Sequence, residues 1–183
     1  HRFNDENDAF FKNYLLEEKF TVKSIHGEKA ITVIDVKNYV TSLKASVEIW
    51  YQILNPGVSD FDVDIKEWLI KINRLDINGF LPAILKFFLT TKEKNKIIKF
   101  LKLIERIAFL SSMTYYPFAA LLTHKNRGWI KDGTPDSMIK QLQDAADEAF
   151  NDVNWFSHWQ SMHNDGGFYA WDGIRYFLYE YEQ

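Results

Sequence analysis

At 183 residues the chain is long enough to bury a real core without metals or disulfides. With no cysteine it has no disulfide framework, no thiolate metal site and no thiol nucleophile. The hydrophobic share of 46% is ordinary, the aromatic share of 16% is high, and no apolar run reaches the ~20 residues that span a bilayer.

The net charge of −3 hides an asymmetry. Residues 86–131 hold ten Lys/Arg against two Asp/Glu, a balance of +8, while the rest of the chain stands at −11. A basic central segment in an acidic chain steers partners more than the net charge does. No signal peptide opens the chain and no initiator Met is present. The start "HRFNDENDAF" therefore reads as a cut, and the chain as a piece of a larger cytoplasmic protein.

Helical periodicity dominates in chain order. "NDAFFKNYLLEEKF" predicts a short helix with Asn7 or Asp8 as N-cap. "FTVKSIHGEKAITVI" is the one strand-like stretch, and a small hairpin near residues 20–34 fits its β-branched alternation around His26 and Gly27. Asp35 is placed to cap "VKNYVTSLKASVEIWYQIL", whose Val36, Tyr39, Val40, Leu43, Val47, Trp50 and Leu54 form a stripe. Pro56 in "NPG" stops that helix. "VDIKEWLIKINRL" predicts a further helix, "DINGF" a break, and "FLPAILKFFL" a helix with Pro82 in its first turn.

Thr91 is then expected to cap the clearest helix, "KEKNKIIKFLKLIERIAFL". At ~100° per residue, Ile97, Leu101, Ile104 and Ala108 share one side, and Lys92, Lys96, Lys99, Lys102 and Arg106 share the other. The apolar side demands burial and the basic side is expected to stay open. "YYPFAALL" reads as a short helix or turn and "HKNRGWIKDGTP" as a loop. Thr134 and Pro135 open "DSMIKQLQDAADEAF" as cap and first residue. "NWFSHWQSMHNDGG" is a short helix and a loop, and the closing helix is expected from near Trp171. About eight helices with no internal boundary predict one all-α domain over residues 1–183, an irregular multi-helix bundle. Its core is expected to include Trp50, Leu69, Leu85, Leu101, Ile104 and Leu178.

No catalytic constellation emerges. His158 and His163 stand five apart, off the spacing that puts two metal ligands on one helix face. His26 and His124 have no obvious partner. "DFDVD" at Asp60–Asp64 lacks the Gly and Glu of a calcium loop and fits an acid-rich helix N-terminus. "DGG" at 165–167 lacks the Lys and Ser/Thr of a phosphate loop. Ser111, Ser112 and Ser157 are not in a nucleophile elbow. Trp155, Phe156 and Trp159 have the spacing of core residues more than of a base-stacking platform.

The order of segments carries more information. "FFKNYLL", a helix ending "EIWYQIL", "WLIKINRLDINGFLPAILKFFL", "IIKFLKLIERIAFL" and the close "FYAWDGIRYFLYEYE" follow one another from Phe10 to Glu182. This succession resembles the central helical region of GmrSD-type modification-dependent restriction proteins of bacteria. In that family a ParB/sulfiredoxin-like domain binds and hydrolyses nucleotide, and an HNH-type domain cuts DNA. The motifs both domains use are missing here, so the resemblance implies a non-catalytic helical domain lying between them. Nucleotide and divalent metal would then belong to the flanking domains of the same polypeptide, with no cofactor in this chain.

The resemblance also accounts for the aromatic close. Seven of the fourteen residues from Phe168 to Tyr181 are aromatic, too many for one buried face. Trp171, Ile174, Leu178 and Tyr181 form the stripe expected to pack inward. Tyr176, Phe177 and Tyr179 remain as a surface for a neighbouring domain. Two other readings stay open: a nucleic-acid-binding module using Lys92, Lys96, Lys99, Lys102 and Arg106, and an unrelated helical enzyme or ligand-binding domain. A continuous, uncovered positive surface would mark the first, and a concave pocket with perturbed titratable groups the second.

Overall fold

The structure, a computed structural model, describes residues 31–75, 77–113, 133–152 and 173–182. Among them are six α-helices and no strand, an all-α fold as the periodicity requires. They are α1 (Val33–Leu54), α2 (Val63–Ile72), α3 (Leu81–Thr90), α4 (Lys94–Met113), α5 (Pro135–Asp152) and α6 (Ile174–Tyr181). Short 3-10 turns, Pro56–Val58 and Asn78–Phe80, lead into α2 and α3. The helix expected over 7–20, the hairpin as far as residue 30, the segments 115–122 and 154–167, and Trp171 lie outside the described residues. The chain groups into two compact units, residues 1–45 and 46–183, divided inside α1, where the sequence pattern points to one domain.

The helix starts show why each segment folds where it does. Thr32, not Asp35, caps α1. Its hydroxyl oxygen accepts from the Asp35 N–H at 3.2 Å, and Asp35 Oδ2 accepts from the Thr32 N–H at 2.8 Å. This reciprocal pair satisfies two orphan donors, so the helix begins three residues earlier than a cap at Asp35 implies. Val33 and Ile34, expected in a hairpin, form its first turn. α1 ends as expected before Pro56, where the Asn55 side-chain amide donates to the Tyr51 carbonyl at 2.9 Å.

Asp62 caps α2, accepting from the Asp64 N–H at 3.1 Å, so the acids of "DFDVD" serve a helix N-terminus. Lys94 Nζ bridges both carboxylates, at 2.8 Å to Asp62 and 2.6 Å to Asp64. Thr91 does not cap α4 directly. It is buried and accepts from the Glu93 N–H at 3.1 Å, shaping the turn before Lys94. Thr134 caps α5 with Pro135 first, as its sequence signature predicts. The Thr134 hydroxyl accepts from the Ser137 N–H at 3.3 Å, and Ser137 Oγ accepts from the Thr134 N–H at 3.0 Å.

The core gathers around α4. Leu101 and Ile104 are fully buried, with Ile97 and Ala108 almost so. Phe100, Leu103, Ile107 and Leu110 are buried as well, so α4 is covered on a much wider arc than its first stripe. Phe87 of α3 stacks on Phe100 with ring centroids 3.9 Å apart, and Phe88 meets Phe61, ahead of α2, at 4.9 Å. Those contacts set the end of α3 beside the first half of α4 and the start of α2. On α5, Met138, Leu142 and Ala146 are fully buried. Lys96 meets Asp136 and Arg106 meets Asp147, so α5 runs parallel to α4.

Of the expected core residues, Leu69, Leu101 and Ile104 are fully buried, and Trp50 and Leu85 pack against the core from partly buried positions. Leu178 is not in it, being 43% exposed, and Tyr176 takes the inward place on α6. The stripe of α1 departs further. Ile49, Trp50 and Ile53 face the core, whereas Val36, Val40, Leu43, Val47 and Leu54 are exposed.

Two measurements check this description. Leu101→Ala is expected to cost about 2–5 kcal/mol in urea unfolding, as for other buried leucines, while Leu178→Ala stays within about 0.5 kcal/mol. The Asp62 carboxyl is held below the usual aspartate range by Lys94 and the Asp64 N–H. Its contribution to stability is therefore full above the ordinary aspartate pKa and is lost as pH falls through the depressed folded value. Asp62→Asn is expected to lose less of its melting temperature than the parent between about pH 5 and pH 2.

Candidate interaction surface on the closing helix

α6 is short, and it is held by contacts on its inner side. Tyr176 is buried, its ring meets Phe109 of α4 at 5.6 Å between centroids, and its hydroxyl donates to Glu105 Oε1. Burial first and the Glu105 carboxylate second push the Tyr176 phenol far above its ordinary pKa, because both oppose a phenolate. One turn on, Glu180 accepts Lys71 Nζ at 2.6 Å and lies 3.8 Å from the Arg74 guanidinium. Arg74 in turn stacks 3.4 Å over the ring of Tyr179. α6 is thereby fastened both to α4 and to the end of α2.

These contacts frame an open cleft of about 470 Å³ lined by Glu67, Trp68, Ile70, Lys71, Arg74, Tyr179 and Glu180. Lys71 and Lys102 lie over the Trp68 ring at 4.9 and 5.4 Å. Cations stacked on aromatic faces keep an apolar body and a wet, charged rim together, the composition of a partly wet contact surface. On the outer side of α6 stand Phe177, Leu178, Tyr179 and Tyr181, the last 82% exposed.

The interface residues named from sequence therefore divide. Phe177 and Tyr179 are surface residues, and Tyr179 lines the cleft. Tyr176 is a correction: it is a core residue that pins the helix. The expected inward stripe of Ile174, Leu178 and Tyr181 is rotated away, because a single deeply seated Tyr with a carboxylate partner fixes the face of so short a helix. Trp68, Lys71 and Arg74 were missed. Their i, i+3, i+6 spacing along α2 and the turn after it was the available signal, and nothing local to that segment points to α6.

The five basic residues do not form one open surface. Lys96 reaches Asp136 at 3.0 Å and Glu93 at 3.3 Å, and Arg106 reaches Asp147 at 3.3 Å. Asp136 first and Glu93 second raise the Lys96 pKa. Lys102 leans over Trp68, and Lys92 precedes α4 with its ammonium donating to the Phe88 carbonyl at 3.2 Å. Lys92, Lys99 and Lys102 are exposed. The basic side was expected to be open, but α5 lies against part of it. Leu103 and Leu110 share that arc and must be buried.

Among the described residues no group of three or more His, Asp or Glu is placed to hold a metal. His26, His124, His158, His163, Trp155, Phe156 and Trp159 lie outside the described residues. No described helix is long and apolar enough to cross a membrane. Comparison of the chain with protein-family models, with curated proteins and with solved structures gives no match in any of the three.

Tyr176→Phe isolates the clamp. Removing the hydroxyl is expected to cost about 1 kcal/mol, the scale of a partly buried bond to a carboxylate. The raised phenol pKa adds a spectroscopic check: parent and Tyr176→Phe are expected to give the same alkaline phenolate titration up to about pH 11 while folded.

Proposed function

We propose that this chain is a helical scaffold and interaction domain of a bacterial DNA-restriction nuclease of the GmrSD type, without chemistry of its own. In this reading it acts in the cytoplasm and holds a nucleotide-hydrolysing domain and an HNH-type nuclease domain of the same polypeptide in fixed relation. Nucleotide and divalent metal bind those domains. The supporting observation is α6, a helix clamped inward by Tyr176 and Glu180 while it presents Phe177, Leu178, Tyr179 and Tyr181 outward. A rigid element with an aromatic outer face can transmit position from one domain to another, because its own register is locked.

The experiment is phage restriction in cells carrying the native gene. The triple variant Phe177→Ser, Tyr179→Ser, Tyr181→Ser is expected to lose restriction by about tenfold or more, the effect of removing one to two kcal/mol of contact. Its abundance is expected to match the parent. Undiminished restriction by the variant defeats the reading.

A second reading, direct DNA contact through the basic arc, draws support from the exposure of Lys92, Lys99 and Lys102. With Lys96 and Arg106 engaged by α5, three cations are left to displace counterions. The log–log salt slope for duplex binding is then about −3, not the −4 to −5 of all five. Lys99→Glu with Lys102→Glu is expected to flatten it. An unchanged slope and affinity removes the DNA role.

A further inference from the structure

Along α1, Val33, Val36, Val40, Leu43, Val47, Tyr51 and Leu54 recur at steps of three and four and fall within about 80° of arc. All are exposed, Val40 at 57%, Leu43 at 46% and Val47 at 66%. The side of α1 that meets the core is a different one, carrying Ile49, Trp50 and Ile53. A narrow apolar strip over 22 residues, about 33 Å long at 1.5 Å per residue, has the width of a two-helix seam.

We propose that the occupant of this strip is a second copy of this chain, the two α1 helices pairing antiparallel about a two-fold axis near Leu43. Two features favour a second copy in this orientation. The spacing is self-complementary: reversing the helix about residues 43–44 sets Val33 against Leu54, Val36 against Tyr51 and Val40 against Val47, with Leu43 meeting itself. Small side chains then oppose large ones in two of the layers, as close packing across a seam requires.

The flanks agree. Lys37 and Glu48 lie on the same edge of the strip, and reversal brings Lys37 of each copy beside Glu48 of the other. Lys44 approaches its own counterpart near the axis, one like-charge contact in water against two opposite ones. Parallel pairing instead lays the Lys37 and Glu48 edge against Tyr39, Ser46 and Trp50, with no charge pairs. Val36, Leu43 and Leu54 are each less than half exposed, so the contact lies at the small end of specific interfaces and association depends on concentration.

The absence of cysteine allows a direct test, because one introduced thiol is the sole thiol in the chain. Under mild oxidation Leu43→Cys is expected to give a disulfide-linked dimer. Val33→Cys and Leu54→Cys are each expected to link poorly alone and well when mixed. Asn38→Cys, on the far side of α1, gives the background. By sedimentation the parent is expected to show a monomer–dimer equilibrium in the micromolar range, and Leu43→Glu to weaken it about tenfold or more. A parent that stays monomeric to about 100 µM, with Leu43→Cys linking no faster than Asn38→Cys, overturns the proposal. So does a Leu43→Glu variant that lowers the melting temperature of a monomeric parent, since the strip would then be covered from within its own chain. Efficient self-linking of Val33→Cys alone overturns the antiparallel arrangement.

Discussion

Burial of α4 on two sides is the constraint on which the rest of the 46–183 unit depends. Its first stripe, Ile97, Leu101, Ile104 and Ala108, answers one part of the surroundings, and its second, Phe100, Leu103, Ile107 and Leu110, another. Phe100 stacks on Phe87 of α3. The second stripe shares its arc with Lys96 and Arg106, which meet acids of α5. A helix so covered cannot rotate or slide without exposing a row of large side chains, so it fixes the positions of its neighbours. Close packing makes this an all-or-none arrangement.

Electrostatics sets register more than stability. Lys94 ties the start of α4 to the start of α2, while Lys96 and Arg106 set α5 beside α4. All these side chains are partly solvent-exposed, and exposed pairs contribute little each. Their geometric consequence is larger. With α2 and α5 both parallel to α4, the charged rows lie along the helix borders, and the surface that sequence alone painted basic becomes a mixture of both signs.

The same logic governs α6. Eight residues with aromatics on every side have no unique inward face by hydrophobicity alone. Tyr176 wins that place because its hydroxyl finds Glu105 while its ring meets Phe109, so a buried polar group is satisfied as apolar surface is covered. Leu178, the better apolar candidate by composition, has no such double fit and faces water. Glu180 then lies within reach of Lys71 and Arg74, and the cleft between α2 and α6 follows as a consequence.

What the sequence determined by itself was local. The all-α class, the stop at Pro56, the acidic start of α2, Pro82 in a first turn and the Thr134–Pro135 start of α5 all follow from backbone sterics and capping within a few residues. The first stripe of α4 was equally legible, because a 3.6-residue period needs only one helix to be seen. The cap of α1 was misplaced by three residues, since Thr32 and Asp35 form a reciprocal pair and the acid alone was read. Tertiary structure decided the faces. Whether α1 buries Val40 or Ile53, whether α6 turns Leu178 or Tyr176 inward, and which lysines of α4 meet carboxylates all depend on helices distant in sequence. The cleft of Trp68, Arg74 and Tyr179 joins residues about a hundred positions apart. Periodicity reports how many apolar sides a helix has; only its neighbours determine which of them is covered.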